Sequence, residues 1–68
     1  MELITYQALL SNPENVARIQ ALRREIERLG GTVSIGPPSK VGMVLVLLKL
    51  PEGLLPQRLF PGIPFYPI

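Results

Sequence analysis

The stretch Val41-Gly42-Met43-Val44-Leu45-Val46-Leu47-Leu48-Lys49-Leu50 contains the longest apolar run of the chain and decides its fold. Apolar and β-branched residues predict one long strand, Val41–Leu50, which Pro51 terminates. The apolar run is far shorter than the roughly 20 residues that a membrane-spanning helix needs. Successive side chains of a strand point to opposite faces, so the stretch carries two mostly apolar faces. One has Gly42, Val44, Val46, Leu48 and Leu50, and the other has Val41, Met43, Leu45, Leu47 and Lys49.

Upstream of this strand the sequence predicts a strand followed by a helix. Leu3–Leu10 alternates as a half-buried strand does. The helix starts either with Asn12 as N-cap before Pro13, or with Ser11 as N-cap in a capping box closed by Glu14. Its apolar residues recur at helical spacing, and Gly30-Gly31 ends it. The apolar positions are Val16, Ile19, Leu22, Ile26 and Leu29.

The remaining elements predict a single α+β domain over residues 1–68. Thr32–Ile35 is a short strand that forms a hairpin with the long one. The Pro-rich segment 51–68 contains a short helix within Leu54–Phe60 and an extended end, Ile63–Ile68. That end is either an edge strand, which the sequence favours, or a polyproline-type tail. The order predicts a small ferredoxin-like βαββ(α)β fold, with an antiparallel sheet covered on one face by helices.

Composition argues against catalysis and against bound metals or cofactors. The 68 residues include no His, Cys or Asp, and the five acidic residues are all Glu. Disulfides, zinc sites and the usual nucleophile–base pairs are therefore excluded, and no glycine motif fits a dinucleotide or phosphate loop. We expect a non-enzyme without cofactor. No targeting segment is visible, so a cytoplasmic location is the default expectation, and the Arg, Glu and Pro usage resembles that of thermophile proteins.

Two surfaces are candidates for partner binding. A single helix layer covers one face of a sheet, so Met43, Leu45 and Leu47 are predicted to form an open face, most simply the contact of a homodimer. The alternative is that the C-terminal segment folds over them. Arg24 and Arg28 form a possible basic ridge for nucleic acid, but interleaved Glu residues and a net charge of +2 favour an ordinary solvated helix face.

The layout resembles the propeptide-like inhibitor domains of subtilisin-like proteases. The resemblance rests on Leu29-Gly30-Gly31-Thr32-Val33, on the long apolar strand, and on Leu59-Phe60-Pro61-Gly62-Ile63-Pro64-Phe65-Tyr66-Pro67. It implies a ferredoxin-like fold whose open sheet docks on the protease. It also implies that the tail, including Phe65, Tyr66 and Ile68, enters the active-site cleft. Protease inhibition or folding assistance is thus an alternative to a general interaction role.

Overall fold

The computed structural model describes residues 2–68 and contains a four-stranded antiparallel sheet with three helices. Its elements are β1 Leu3–Leu10, α1 Pro13–Ala21, α2 Arg23–Arg28, β2 Thr32–Ile35, β3 Val44–Pro51, α3 Pro56–Leu59 and β4 Tyr66–Pro67. The predicted α+β class is confirmed. The sheet order is β2-β3-β1-β4, which is consistent with a ferredoxin-like arrangement. No helix within residues 2–68 has both the length and the apolar character needed to cross a membrane.

The long apolar strand is central, because β3 pairs with β1 on one side and with β2 on the other. The predicted start at Val41 is wrong, since β3 begins only at Val44. The Ser39 N–H donates to the Met43 carbonyl at 2.8 Å, and the Gly42 N–H donates back to the Ser39 carbonyl at 2.9 Å. Gly42 has a φ of +81°, which turns the backbone out of the extended conformation before the strand starts.

Helix α1 begins as the first of the two capping alternatives predicts. The Asn12 Oδ1 accepts a hydrogen bond of 2.8 Å from the Glu14 N–H, and Pro13 is the first helical residue.

The prediction of one uninterrupted helix is wrong. At Leu22 the backbone leaves α-helical geometry (φ −97°, ψ 4°), and its N–H bonds to the Ile19 carbonyl three residues earlier. This tighter, 3₁₀-type bond separates α1 from α2.

The end of α2 is fixed by the two glycines. Gly30 has a φ of +91°, and the Gly31 N–H donates to the Ile26 carbonyl at 2.9 Å. These are the features of a Schellman motif, in which a left-handed residue reverses the chain after a helix. The reversal brings the chain directly from α2 into β2, which α2 packs against.

One core lies between the helices and one face of the sheet. Its fully buried side chains come from α1, from α2, from β3 and from the C-terminal segment, and Phe60 and Phe65 pack with ring centroids 5.8 Å apart. The core comprises Tyr6, Ala8, Leu10, Ile19, Ile26, Val33, Val46, Leu48, Leu50, Phe60, Ile63 and Phe65. The C-terminal segment therefore supplies a quarter of the core instead of lying loose.

The extended end of the chain is an edge strand, as the sequence favours. In β4, Tyr66 lies opposite Gln7 of β1, and the Ile68 N–H donates to the Thr5 carbonyl at 2.9 Å. Arg18 of α1 helps to hold the preceding turn, because its Nη2 donates to the Pro61 carbonyl at 3.3 Å. The segment thus closes the sheet beside β1 and leaves the face opposite the helices uncovered.

Candidate functional site

The sheet face opposite the helices, here called the open face, is not covered by another element of the described residues. Strand alternation and the pairing register identify its side chains, because Val46, Leu48 and Leu50 on the other face are fully buried. The open face consists of Leu3, Thr5, Gln7, Leu9, Thr32, Ser34, Leu45, Leu47, Lys49, Pro51 and Tyr66. Lys49 is the only charged residue among them.

Exposed apolar side chains are concentrated on this face. Eight large hydrophobic residues of the described chain are exposed: Leu3, Leu9, Leu29, Val41, Leu45, Leu55, Tyr66 and Ile68. Four of them belong to the open face, and Ile68 joins them because its pairing with Thr5 continues the alternation of β4. Scattered exposed hydrophobics are normal on a protein surface, whereas a contiguous set indicates an interaction site.

The apolar side chains meet at the end of the sheet where β1 finishes and β3 starts. Leu9 and Leu45 lie directly opposite each other across these strands. In the next row, Gln7 lies between Leu47 on β3 and Tyr66 on β4. A shallow cleft of about 400 Å³ opens here, and its walls are Gln7, Ala8, Leu9, Leu45, Pro64 and Tyr66. The far end of the face is more polar, with Thr5, Lys49 and Thr32 side by side.

The predicted surface residues are only partly brought together. Leu45 is 44% exposed on the open face, and Leu47 is partly buried beside it. Met43 lies just before β3 and is partly buried, and its N–H donates to the Ser39 Oγ at 3.1 Å, so the strand itself does not include it. Sequence reasoning did not assign Leu9 and Tyr66 to this surface. The predicted alternation of β1 places Leu9 on the same face as Thr5 and Gln7. Because these two residues are polar, that face was interpreted as a polar outer face.

The residues of the predicted tail differ in their accessibility. Phe65 is buried in the core next to Phe60, whereas Tyr66 and Ile68 are 63% and 73% exposed. Tyr66 and Ile68 are held against β1 by backbone hydrogen bonding. In this structure the three residues therefore belong to the sheet edge and the core.

The predicted basic ridge is interrupted by an acidic partner. The Arg28 Nη1 lies 2.8 Å from the Glu25 Oε1, and both side chains are mostly exposed. This is the only ion pair among residues 2–68, and its two residues are three positions apart on the helix, a spacing at which side chains meet. Such a surface pair contributes little to stability because water screens it. Arg24 is exposed on the same short helix.

The charged side chains of the described residues all lie at the protein surface. Every Glu, Lys and Arg between residues 2 and 68 is exposed. Over the same residues no group of three or more potential metal ligands comes together.

A second cleft, of about 380 Å³, lies between the start of α1 and the β2–β3 loop, and apolar side chains form most of its wall. Asn12, one of its polar residues, already caps the helix.

Comparison of the chain with known protein families, with curated proteins and with solved structures finds no significant match. The candidate function therefore rests on the geometry and chemistry of the open face.

Proposed function

We propose that this chain is a non-catalytic association domain that binds a second copy of itself through the open face. The observation that carries the proposal is the concentration of exposed apolar residues there, centred on Leu9, Leu45 and Tyr66. Removing these side chains from water would stabilise an assembly by about 25 cal/mol for each Å² of apolar surface buried. A domain of this length has a small core, and self-association is one of the few ways for it to gain stability.

The charge pattern favours a second copy over a different protein. With only Lys49 charged, the open face offers no set of charges that an unlike partner could recognise, whereas a nearly neutral apolar face is complementary to itself. Two-fold packing can set the cluster around Leu9 and Leu45 against its counterpart in the second copy and leave Lys49 toward the rim. Sheets pack in this way with their side chains interdigitated and about 10 Å between them.

The size of the face limits the strength of a dimer. The strands contain eight, eight, four and two residues, and at about 4.8 Å between strands they give a plan area of roughly 350 Å². Two such faces together give roughly 700 Å², less than the roughly 1,000 Å² at which stable specific interfaces begin, so the contact belongs to the weak class. A sheet-to-sheet contact of this area is expected to be reversible, with association detectable at tens to hundreds of micromolar.

Replacing Leu45 by lysine tests the proposal. A charge at the centre of the apolar cluster has no partner in the assembly, so Leu45→Lys is expected to weaken association by about 100-fold. Sedimentation equilibrium should show that the variant has half the assembly mass of the wild-type chain. Circular dichroism should be unchanged, because Leu45 does not face the core.

Leu55→Lys is the matched control for this experiment. Leu55 is 46% exposed, close to the 44% of Leu45, but it precedes α3 and lies outside the open face. The control should keep the wild-type mass. A wild-type chain that stays monomeric at hundreds of micromolar, or equal effects of the two substitutions, would contradict the proposal.

A second candidate function is inhibition of a subtilisin-like protease, which the resemblance noted above implies. The sheet order β2-β3-β1-β4 and its uncovered face support this candidate, because the resemblance assigns docking to such a face. The burial of Phe65 is less favourable to it. If it is correct, the chain should inhibit one or more members of a subtilase panel at micromolar concentration, and Leu45→Lys should weaken that inhibition. The absence of inhibition across the panel would remove it.

A further inference from the structure

The two edges of the sheet differ in their ability to pair with another strand. The β4 edge is two residues long, and its outward position is Pro67, which has no N–H to donate. Prolines and short strands are common means of protecting an edge. The β2 edge has neither. Thr32-Val33-Ser34-Ile35 contains no charge and no proline, and three of its residues are β-branched.

The hydrogen-bond pattern of β2 shows which backbone groups face outward. The Gly36 N–H donates to the Leu45 carbonyl of β3 at 2.9 Å. Backbone groups alternate in direction along an antiparallel strand, so those of Ser34 also point toward β3. The N–H and C=O groups of Val33 and Ile35 therefore point away from the sheet, and β2 has no neighbour on that side within residues 2–68.

We propose that β2 is a second self-association site, at which two copies pair their β2 strands antiparallel about a two-fold axis through Ser34. This register places Val33 of each copy opposite Ile35 of the other. Both residues have outward backbone groups, so the two copies exchange four N–H···O hydrogen bonds. The two Ser34 residues face each other as a non-hydrogen-bonded pair. The free β2 edge of each copy is thereby paired, and the two four-stranded sheets join into a single sheet of eight strands.

Features next to β2 agree with this register. Pro37 and Pro38 follow directly after Gly36, so the pairing stops at the same point on both copies. Ser34, which meets its own counterpart at the axis, is small and exposed, and it does not hinder close approach. The β2 site differs from the open face in the direction of its two-fold axis, which runs perpendicular to the sheet. When copies associate through both sites and the two two-fold axes intersect, four chains form a tetramer of two stacked eight-stranded sheets.

Disulfide crosslinking at Ser34 tests the register directly. The chain has no cysteine, so Ser34→Cys introduces the only thiol. Non-hydrogen-bonded pairs have Cα atoms about 4.5 Å apart, within the range that a disulfide spans. In the Leu45→Lys background, which removes association through the open face, Ser34→Cys is expected to form covalent dimers at least about tenfold faster than a control. The control is Thr32→Cys, whose two copies lie about 14 Å apart in the proposed register.

Charge substitutions give an independent measurement in the same background. Like charges at directly opposite positions destabilise strand pairing, so Ser34→Lys alone and Ser34→Glu alone should each weaken the β2 dimer about fivefold. An equal mixture of the two should restore it as a heterodimer. Thr32→Lys and Thr32→Glu, which face Gly36 of the second copy, should change association much less and show no such rescue.

These measurements separate the two sites. Equal crosslinking rates for Ser34→Cys and Thr32→Cys, or no rescue in the mixed sample, would overturn the β2 pairing and leave the open-face proposal standing. If Leu45→Lys leaves the wild-type mass unchanged while Ser34→Cys still crosslinks selectively, the open-face proposal fails and the β2 pairing stands. If both proposals are correct, the double variant Leu45→Lys/Ser34→Lys should have the lowest mass in the series.

Discussion

Gly31→Ala is expected to leave this domain barely folded. A Cβ at this position would overlap with the Lys49 carbonyl oxygen of β3 and lie 2.9 Å from the Ile26 Cγ2. The first of these atoms is backbone in the central strand and cannot move without disturbing the sheet. We expect a loss of about 3 kcal/mol in the free energy of unfolding. A domain of this size has a total of only about 3–10 kcal/mol, so urea denaturation should show a transition at much lower concentration.

Gly53→Ala is the control for the substitution at Gly31. Gly53 has a φ of +95°, but a Cβ there would meet no atom within 4 Å. Its replacement should therefore cost only the left-handed backbone strain, about 1 kcal/mol. Equal losses for the two variants would mean that the close approach of α2 to β3 at Gly31 does not constrain the fold.

Phe60→Ala is expected to have the second large effect, because Phe60 connects the C-terminal segment to the core. The side chain is fully buried beside Phe65, and the Phe60 N–H donates to the Pro56 carbonyl at 2.8 Å. Truncating a buried aromatic side chain to Ala costs about 3–5 kcal/mol, since it leaves a cavity. Hydrogen exchange at the Ile68 amide, which bonds to Thr5 of β1, should accelerate with the loss of stability measured in urea.

Leu55→Ala provides the comparison for Phe60→Ala within the same segment. Leu55 is 46% exposed, so its truncation should cost well under half as much. If Phe60→Ala leaves the urea midpoint and the exchange at Ile68 near those of Leu55→Ala, the segment is not anchored through Phe60. This would also weaken the assignment of Tyr66 to the open face, because β4 carries that residue.

Local sequence patterns were sufficient to predict most elements. Asn12-Pro13 predicts the start of the helix because the cap is a hydrogen bond over two residues, and Gly30-Gly31 predicts its end for a similar reason. The interruption at Leu22 was not predicted. Neither Pro nor Gly is present there, so the sequence carries no local signal for the change in hydrogen bonding.

The candidate surface was predictable only in part. Leu45 and Leu47 follow from the alternation of the long strand together with the rule that one helix layer covers one face. Met43 lies just outside β3, because a left-handed Gly42 and the hydrogen bonds to Ser39 end the extended conformation on its N-terminal side. The contribution of Tyr66 depends on β4 pairing with β1, a contact between residues about sixty positions apart.

The apolar stretch 41–50 by itself determined that the protein has a central strand with two apolar faces, because side-chain alternation is a property of the extended backbone. Only the tertiary structure decided which of those faces is covered. The helices occupy the side of Val46, Leu48 and Leu50, and the C-terminal segment joins the edge of the sheet instead of crossing its open face. Strand order and edge pairing follow from contacts between distant parts of the chain, and no local pattern encodes them.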